Sequence, residues 1–333
     1  GYDPMPGSLM ARLNVRGSAL ARELCAQLDV PYLPCGSLVL GFSTEDEVLL
    51  KELFRRGTQN GVPGLALLTG DEARALEPNL SPAVTAALHA PSAAICSPWE
   101  YCLALAETSV RNGAQLHLET AVTGLTPTAD GWQVETSRGV LEARYVVNAA
   151  GLDAQAVHEM AAPPSFTIHP SRGEYFLLDK SEGGRVGRVI FQCPSRAGKG
   201  VLVAPTVHGN LIVGPNAEPV EGDDTATTAG GLAYVRQTAL RSVPSVEFRA
   251  SIRNFAGVRA STDREDFIIE EGAPHFLDLA GICSPGLSAA PAIGEYAVEL
   301  LGQAGLTLER KADFTASRKR VRFRELPPEE KAR

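Results

Sequence analysis

Apolar residues recur at helical spacing over 8–28, where Leu9, Leu13, Leu20, Leu24 and Leu28 mark one face and Ser8 stands where an N-cap belongs. The period then shortens: 36–42 is a continuous apolar run of strand length. Ser43, Thr44, Glu45, Asp46 and Glu47 supply the hydroxyls and acids that open a helix through Arg56. Residues 71–79 predict a short helix stopped by Pro78, residues 84–90 a strand, and Pro98 the first turn of a helix that Gly113 ends. Strands follow at 115–119, 121–125, 132–137 and 139–147, the last three spaced as a small antiparallel meander. Beyond Asn148 the pattern predicts a helical turn over 153–160 and strands at 173–179, 187–192, 200–204 and 211–214. A helix over 225–241, strands at 252–259 and 276–280 and a helix over 289–302 complete it.

Helix and strand alternate without forming two sequential halves, which predicts an α/β (α+β mixed) fold. Segments 1–30, 99–160 and 276–303 read as one layer, and 31–98 with 161–275 as a second, mixed-sheet layer, with a cleft between them. Residues 304–333 are rich in charge and poor in apolar positions, and read as a linker or as an arm against a neighbour.

With 333 residues, 44% apolar and 21% charged, the composition is that of a chain with a sizeable core. A formal charge of −8 argues against nucleic acid, whose binders concentrate Lys and Arg. No apolar run is long enough to cross a bilayer, so the chain is read as cytoplasmic, or as peripheral to a membrane. The six cysteines never fall in C-x-x-C spacing, and neither a disulfide framework nor a metal site is expected. No G-x-S-x-G elbow and no G-x-x-x-x-G-K-[ST] loop occurs, which disfavours a serine hydrolase and a P-loop enzyme.

Several stretches carry candidate chemistry. In 145–152 a strand runs into Asn148, Ala149, Ala150 and Gly151 and then a helix start, which is either a tight turn or a place where backbone amides meet a phosphate. In 279–295 a strand, a small-residue loop and an apolar helix repeat that arrangement. Arg259 ends an apolar strand after Gly257-Val258, where a guanidinium fork suits a carboxylate or phosphate. Arg172, Gly173 and Tyr175 lie at another strand entrance, and His208 sits in a hairpin turn as a solvated residue.

Together these stretches resemble the FAD-dependent oxidoreductases of the D-amino-acid oxidase superfamily. The resemblance is greatest to the branch holding L-2-hydroxyglutarate oxidases and the large subunit of anaerobic glycerol-3-phosphate dehydrogenase. It spans most of 1–305 and rests on the 1–8 loop, Asn148–Gly151, Arg172–Tyr175, Gly198-Lys199-Gly200 with Val213–Pro215, Gly257–Arg259 and the 281–288 loop. It implies FAD as cofactor, with Ala121 and Val122 at the adenosine and Ala149, Ala150 and Gly151 beside the pyrophosphate and ribose. Gly281, Pro285, Gly286, Leu287 and Ser288 would then run under the flavin. It also implies a small anionic substrate held by Arg259, with Arg172, Tyr175 and Lys199 as pocket neighbours.

The sequence departs from the pattern in one respect, having no G-x-G-x-x-G after a strand. By the resemblance, that fingerprint, the first βαβ unit and a histidine preceding Gly1-Tyr2 would lie upstream. The expectation is an incomplete FAD-binding Rossmann-like domain interleaved with a mixed-sheet substrate domain, taken from a longer chain, so that activity of this stretch alone is not implied. Dehydrogenase relatives continue into a cysteine-rich iron–sulfur domain, so such a domain or a partner subunit is implied after the tail; no residue pattern identifies the electron acceptor. The implied reaction is hydride removal from a small 2-hydroxy acid or a glycerol-3-phosphate-like substrate. The alternatives are an amino-acid or amine oxidase on the same fold and a flavin-free, non-catalytic fragment. No base is identified; His169 and His208 are candidates only in that they lie in the right half.

Overall fold

The computed structural model describes residues 1–194 and 200–331. In chain order the first elements are helix α1 (Leu9–Gln27), strands β1 (Tyr32–Leu33) and β2 (Ser37–Gly41), α2 (Thr44–Gln59), β3 (Ala66–Thr69), α3 (Gly70–Leu76), β4 (Ala86–Ala90), β5 (Ile95–Cys96) and α4 (Pro98–Arg111). The middle holds β6 (Val122–Pro127), β7 (Trp132–Thr136), β8 (Gly139–Ala143), β9 (Val146–Asn148), α5 (Ala154–Ala161) and the long β10 (Ile168–Leu178). Then come β11 (Val189–Gln192), β12 (Leu202–Pro205), β13 (Leu211–Gly214), β14 (Glu218–Pro219), α6 (Ala229–Ser242), β15 (Ser251–Thr262), β16 (Ile268–Ala273), β17 (Phe276–Ala280), α7 (Gly286–Gln303) and α8 (Pro328–Lys331).

Capping explains why most helices begin where they do. Ser8, Ser43, Thr69, Ser97 and Thr228 each accept a backbone N–H from the first turn of α1, α2, α3, α4 and α6. A distant carboxylate strengthens the first of these: Asp266, in the β15–β16 loop, accepts the N–H groups of Leu9 and Met10 at 2.7 Å.

The largest sheet runs β14-β10-β13-β12-β11-β2-β4-β3, with β15 on the other edge of β10. Its core joins Leu38, Leu40, Phe176, Leu178, Ile190, Val203, Leu211 and Val213 to Val235 and Ala239 of α6. A second sheet, β16-β17-β9, carries α7 and α1 through Leu13, Phe267, Ile269, Ala289 and Ile293. The β6-β7-β8 meander docks on it by Trp132, whose ring lies 5.7 Å from that of Phe276 and whose indole N–H donates to Pro274 O.

Two sequence expectations change here. The predicted strand at 115–119 is irregular, with Leu116 62% and Leu118 70% exposed, because no described segment offers it a hydrogen-bonding edge. The predicted strand at 139–147 is two strands: β8 pairs with β7, whereas β9 pairs in parallel with β17. Alternation alone does not show that a run changes sheets midway.

The charged tail folds back along α1 and α4. Arg318 donates its backbone N–H to Gln27 O at 2.9 Å and pairs with Glu107, Arg320 pairs with Glu100, and Arg322 reaches Asp29 at 2.6 Å. The two-residue spacing puts all three guanidinium groups on one side of an extended arm. The hydrogen bond from Arg322 holds the Asp29 carboxyl below its ordinary value, and Arg318 does the same for Glu107. Carboxylates so depressed contribute stability above their unfolded pKa and lose it as pH falls through the folded one, so acid releases the arm. Salt acts likewise by screening: trypsin is expected to cut after Arg318, Arg320 and Arg322 several-fold faster in ~1 M salt than in dilute buffer. Equal cleavage rates in the two would contradict that account of the arm.

Candidate functional site

β9 and β17 lie side by side and parallel, with Asn148 opposite Asp278, so the loops leaving both carboxyl ends emerge together. The first loop holds Ala149, Ala150 and Gly151; both alanines are exposed, and Gly151 has a φ of +61° with open space where a Cβ would stand. The second runs from Gly281 to Ser288. A Cβ on Gly281 would lie 2.9 Å from Thr262 at the end of β15, so this loop abuts the strand that carries Arg259.

The helices that follow these two loops differ from those above. Neither α5 nor α7 has a side-chain cap; their first amides turn back on the preceding loop, Ala154 N–H to Gly151 O and Gly286 N–H to Cys283 O. Helix α7 is fixed from behind by α1: Ser288 Oγ donates to Asn14 Oδ1 at 2.7 Å, and a Cβ on Gly17 would fall 2.1 Å from Ser288 O. Asn148 is held by Nδ2 hydrogen bonds to Asp278 and Ala154 O, both 2.8 Å. His158 Nδ1 meets the other oxygen of Asp278 at 2.7 Å, and burial is the first cause raising that carboxyl. Ala121 and Val122 are exposed at the start of β6, which packs on α5, and Ala121 N donates to Ser137 Oγ.

The second part of the candidate site is the β10–β15 ladder, which the Gly281 loop abuts at Thr262. Its register sets Tyr175 opposite Phe255, Gly173 opposite Gly257 and Ser171 opposite Arg259. These residues share one face by strand alternation. Tyr175 and Phe255 stack at 5.1 Å with planes 8° apart. Arg259 reclines over bare backbone, since a Cβ on Gly173 would fall 2.3 Å from its Nη2. Its Nη2 also donates to Asn216 O at 3.4 Å, and the guanidinium lies close enough to the Tyr175 phenol to pull its pKa down. Burial raises that phenol above its ordinary value, against the pull of the guanidinium.

Arg172 lies on the other face. It alternates with Glu174, Phe176 and Leu178 under α6, and donates to Asp224 at 2.8 Å and Glu218 at 3.2 Å, with Glu174 at 3.9 Å. Glu174 is fully buried and accepts from Thr228 N and Asn216 Nδ2. Lys199 lies outside the described residues. His208 is in the β12–β13 turn against Glu100, 3.1 Å away, at the far end of that hairpin from Asn216. His169 is exposed on the same face of β10 as Tyr175. Sequence reasoning did not single out Phe255, Asn216 or Asn14. Phe255 shares strand parity with Arg259, which was a usable signal; Asn14 and Asn216 gave none.

The sequence matches the family of FAD dependent oxidoreductases over residues 1–300. It is 44% identical over 336 residues to a glycerol 3-phosphate dehydrogenase of Caloramator mitchellensis, covering 99% of this chain and 70% of that one. It is 29% identical to the glycerol 3-phosphate oxidase of Mycoplasma genitalium, over 94% of this chain and 84% of that one. In three dimensions it is similar to the dithionite-reduced, FAD-bound L-α-glycerophosphate oxidase of Mycoplasma pneumoniae, with a TM-score of 0.87, 28% identity and coverage of 95% and 85%. Two parallel strands opening onto small-residue loops fit that match over nearly the whole chain, and the chain belongs to the family of FAD-dependent oxidoreductases.

Proposed function

We propose that this protein oxidises the CH–OH group of a small anion, with glycerol 3-phosphate as the first candidate and a 2-hydroxy acid as the second. The observation that carries the reading is Arg259, laid over the bare backbone of Gly173 beside Tyr175, on a strand whose end abuts the 281–288 loop. The resident group in this family is FAD, and the two small-residue loops suit it: Ala149 and Ala150 are exposed, Gly151 leaves open space for a close backbone approach, and the positive ends of α5 and α7 carry no side-chain cap. Ala149, Ala150 and Gly151 would lie along its pyrophosphate, Gly281 and Pro285 to Ser288 along the edge of its ring, and Ala121 with Val122 beside the adenosine. When bound, FAD supplies the hydride acceptor.

The chain's own residues bind and orient. The Arg259 fork takes the phosphate or carboxylate in a charge-assisted pair, and the Tyr175 phenol adds a donor beside it. The Tyr175–Phe255 stack closes one end of the Gly173 floor and keeps water from it. Held by its anionic end, a short substrate presents one C–H in a fixed direction. Lys199 remains a pocket neighbour in this proposal, whereas Arg172 organises the opposite face of β10. The two interleaved layers read from the sequence, with 304–333 as a tail, are the proposed domain division.

The test uses the flavin-loaded protein under anaerobic conditions. Glycerol 3-phosphate, L-2-hydroxyglutarate and glycine are added separately, and bleaching of the flavin's visible absorption is followed. Bleaching by the first is the expected result. Bleaching by glycine alone would move the protein to amine oxidation.

A further inference from the structure

Away from the crevice, two thiols meet. Cys25 lies in the last turn of α1 and is 1% exposed. Cys96 ends β5, partly open to solvent, directly across the ladder from Tyr32. Both side chains lie in one cluster with Leu28, Val30, Tyr101 and Ala104, close enough that each is the first cause of the other's displaced pKa. The Tyr101 hydroxyl is also buried there, and without a hydrogen-bond partner.

Of the four remaining cysteines, Cys35 is half-buried just past β1, on the far side of Tyr32 in sequence from Cys25, and the other three have other surroundings. Cys193 is buried in a different cluster, where burial pushes its thiol up to about 12. Cys102 is exposed on α4, and Cys283 lies in the 281–288 loop. Within the pair the roles divide. The neighbouring Cys25 lowers Cys96, while Cys25 is raised by Cys96 and by burial. The half-open member is thus the readier thiolate, and the buried member keeps a proton to give away.

We propose that Cys25 and Cys96 are an oxidant-sensitive pair that hydrogen peroxide converts to an intramolecular disulfide. The Cys96 thiolate attacks one peroxide oxygen; the O–O bond breaks, hydroxide leaves, and Cys96 becomes a sulfenic acid. The Cys25 sulfur then attacks the Cys96 sulfur; the S–O bond breaks, the S–S bond forms, and water leaves with the Cys25 proton. Two thiols and one peroxide give one disulfide and two waters. The bond staples the end of α1 to the head of α4, where the arginine arm also lands through Leu28 O and Glu100. The same helix α1 backs the 281–288 loop through Asn14 and Gly17, so the modification stiffens a support of the crevice while touching nothing inside it.

The test counts thiols. The folded protein is exposed to dilute peroxide, alkylated, unfolded and assayed; two of its six cysteines are expected to be lost, with one cross-linked peptide pair joining residues 25 and 96 and full recovery in dithiothreitol. In Cys25→Ser the sulfenic acid on Cys96 is expected to persist long enough for capture by dimedone, and Cys96→Ser is expected to keep its remaining thiols. The wild-type cross-link map decides the matter even if neither variant folds. A cross-link through any other cysteine, sulfinic acid on Cys96 beside a free Cys25, or retention of every thiol under peroxide that oxidises free cysteine would each overturn the proposal.

Discussion

Replacing Arg259 by alanine is expected to lower kcat/KM for the anionic substrate by roughly 30- to 1,000-fold, with the folded state barely changed. The estimate follows from losing a charge-assisted fork worth about 2–4 kcal/mol when it meets a phosphate or carboxylate. Stability should hold because Arg259 makes few obligatory contacts of its own. Its hydrogen bond is to the Asn216 carbonyl at 3.4 Å, and its other neighbours are a phenol and backbone. Arg259→Lys keeps the charge but not the planar fork, and should fall between the two. Steady-state kinetics beside thermal melts separate the outcomes: unchanged kcat/KM in Arg259→Ala would remove the residue from substrate binding altogether.

Arg172→Ala is expected to do the reverse. Removing this guanidinium takes from Glu174, which is 0% exposed, its ion-pair partner among the described residues, and takes the same partner from Glu218 and Asp224. Breaking a buried pair from one side costs about 3–5 kcal/mol; the lower end applies here because Glu218 and Asp224 are half open to water. A fall in Tm of roughly 5 °C follows. KM in whatever folds should stay near the wild-type value. A raised KM with an unmoved Tm would place Arg172 in the pocket after all. The pair of variants therefore distinguishes two arginines that the sequence presents as equivalent.

That equivalence shows what could and could not be read in advance. Helices α1, α2 and α4 were legible because their caps, Ser8, Ser43 and Ser97, are local and their apolar period is regular. The two small-residue loops were legible for the same reason, each being a strand, a loop and a helix in one short stretch. The split of 139–147 between two sheets was hidden because its cause is the pairing of β9 with β17, some 130 residues later. Helix α7 begins at Gly286 rather than 289, ahead of Pro291, a residue that sequence reasoning treats as an early-turn marker. The Asp266 contact with the head of α1 spans 257 residues and leaves no local trace. Arg172 is a different case, since Phe176 and Leu178 share its parity and the core takes that side. The alternation was there, and the attraction of an arginine beside a tyrosine obscured it.

The facing glycines of β10 and β15 have a consequence for redesign. Where a Cβ on Gly173 would strike Arg259, one on Gly257 would meet nothing within 4 Å. Position 257 is thus a vacant peg on an otherwise committed scaffold. Alanine, serine or valine planted there would shorten the berth step by step without disturbing the ladder, and a mutant panel at this one codon is the natural starting point for retuning which alcohols are accepted.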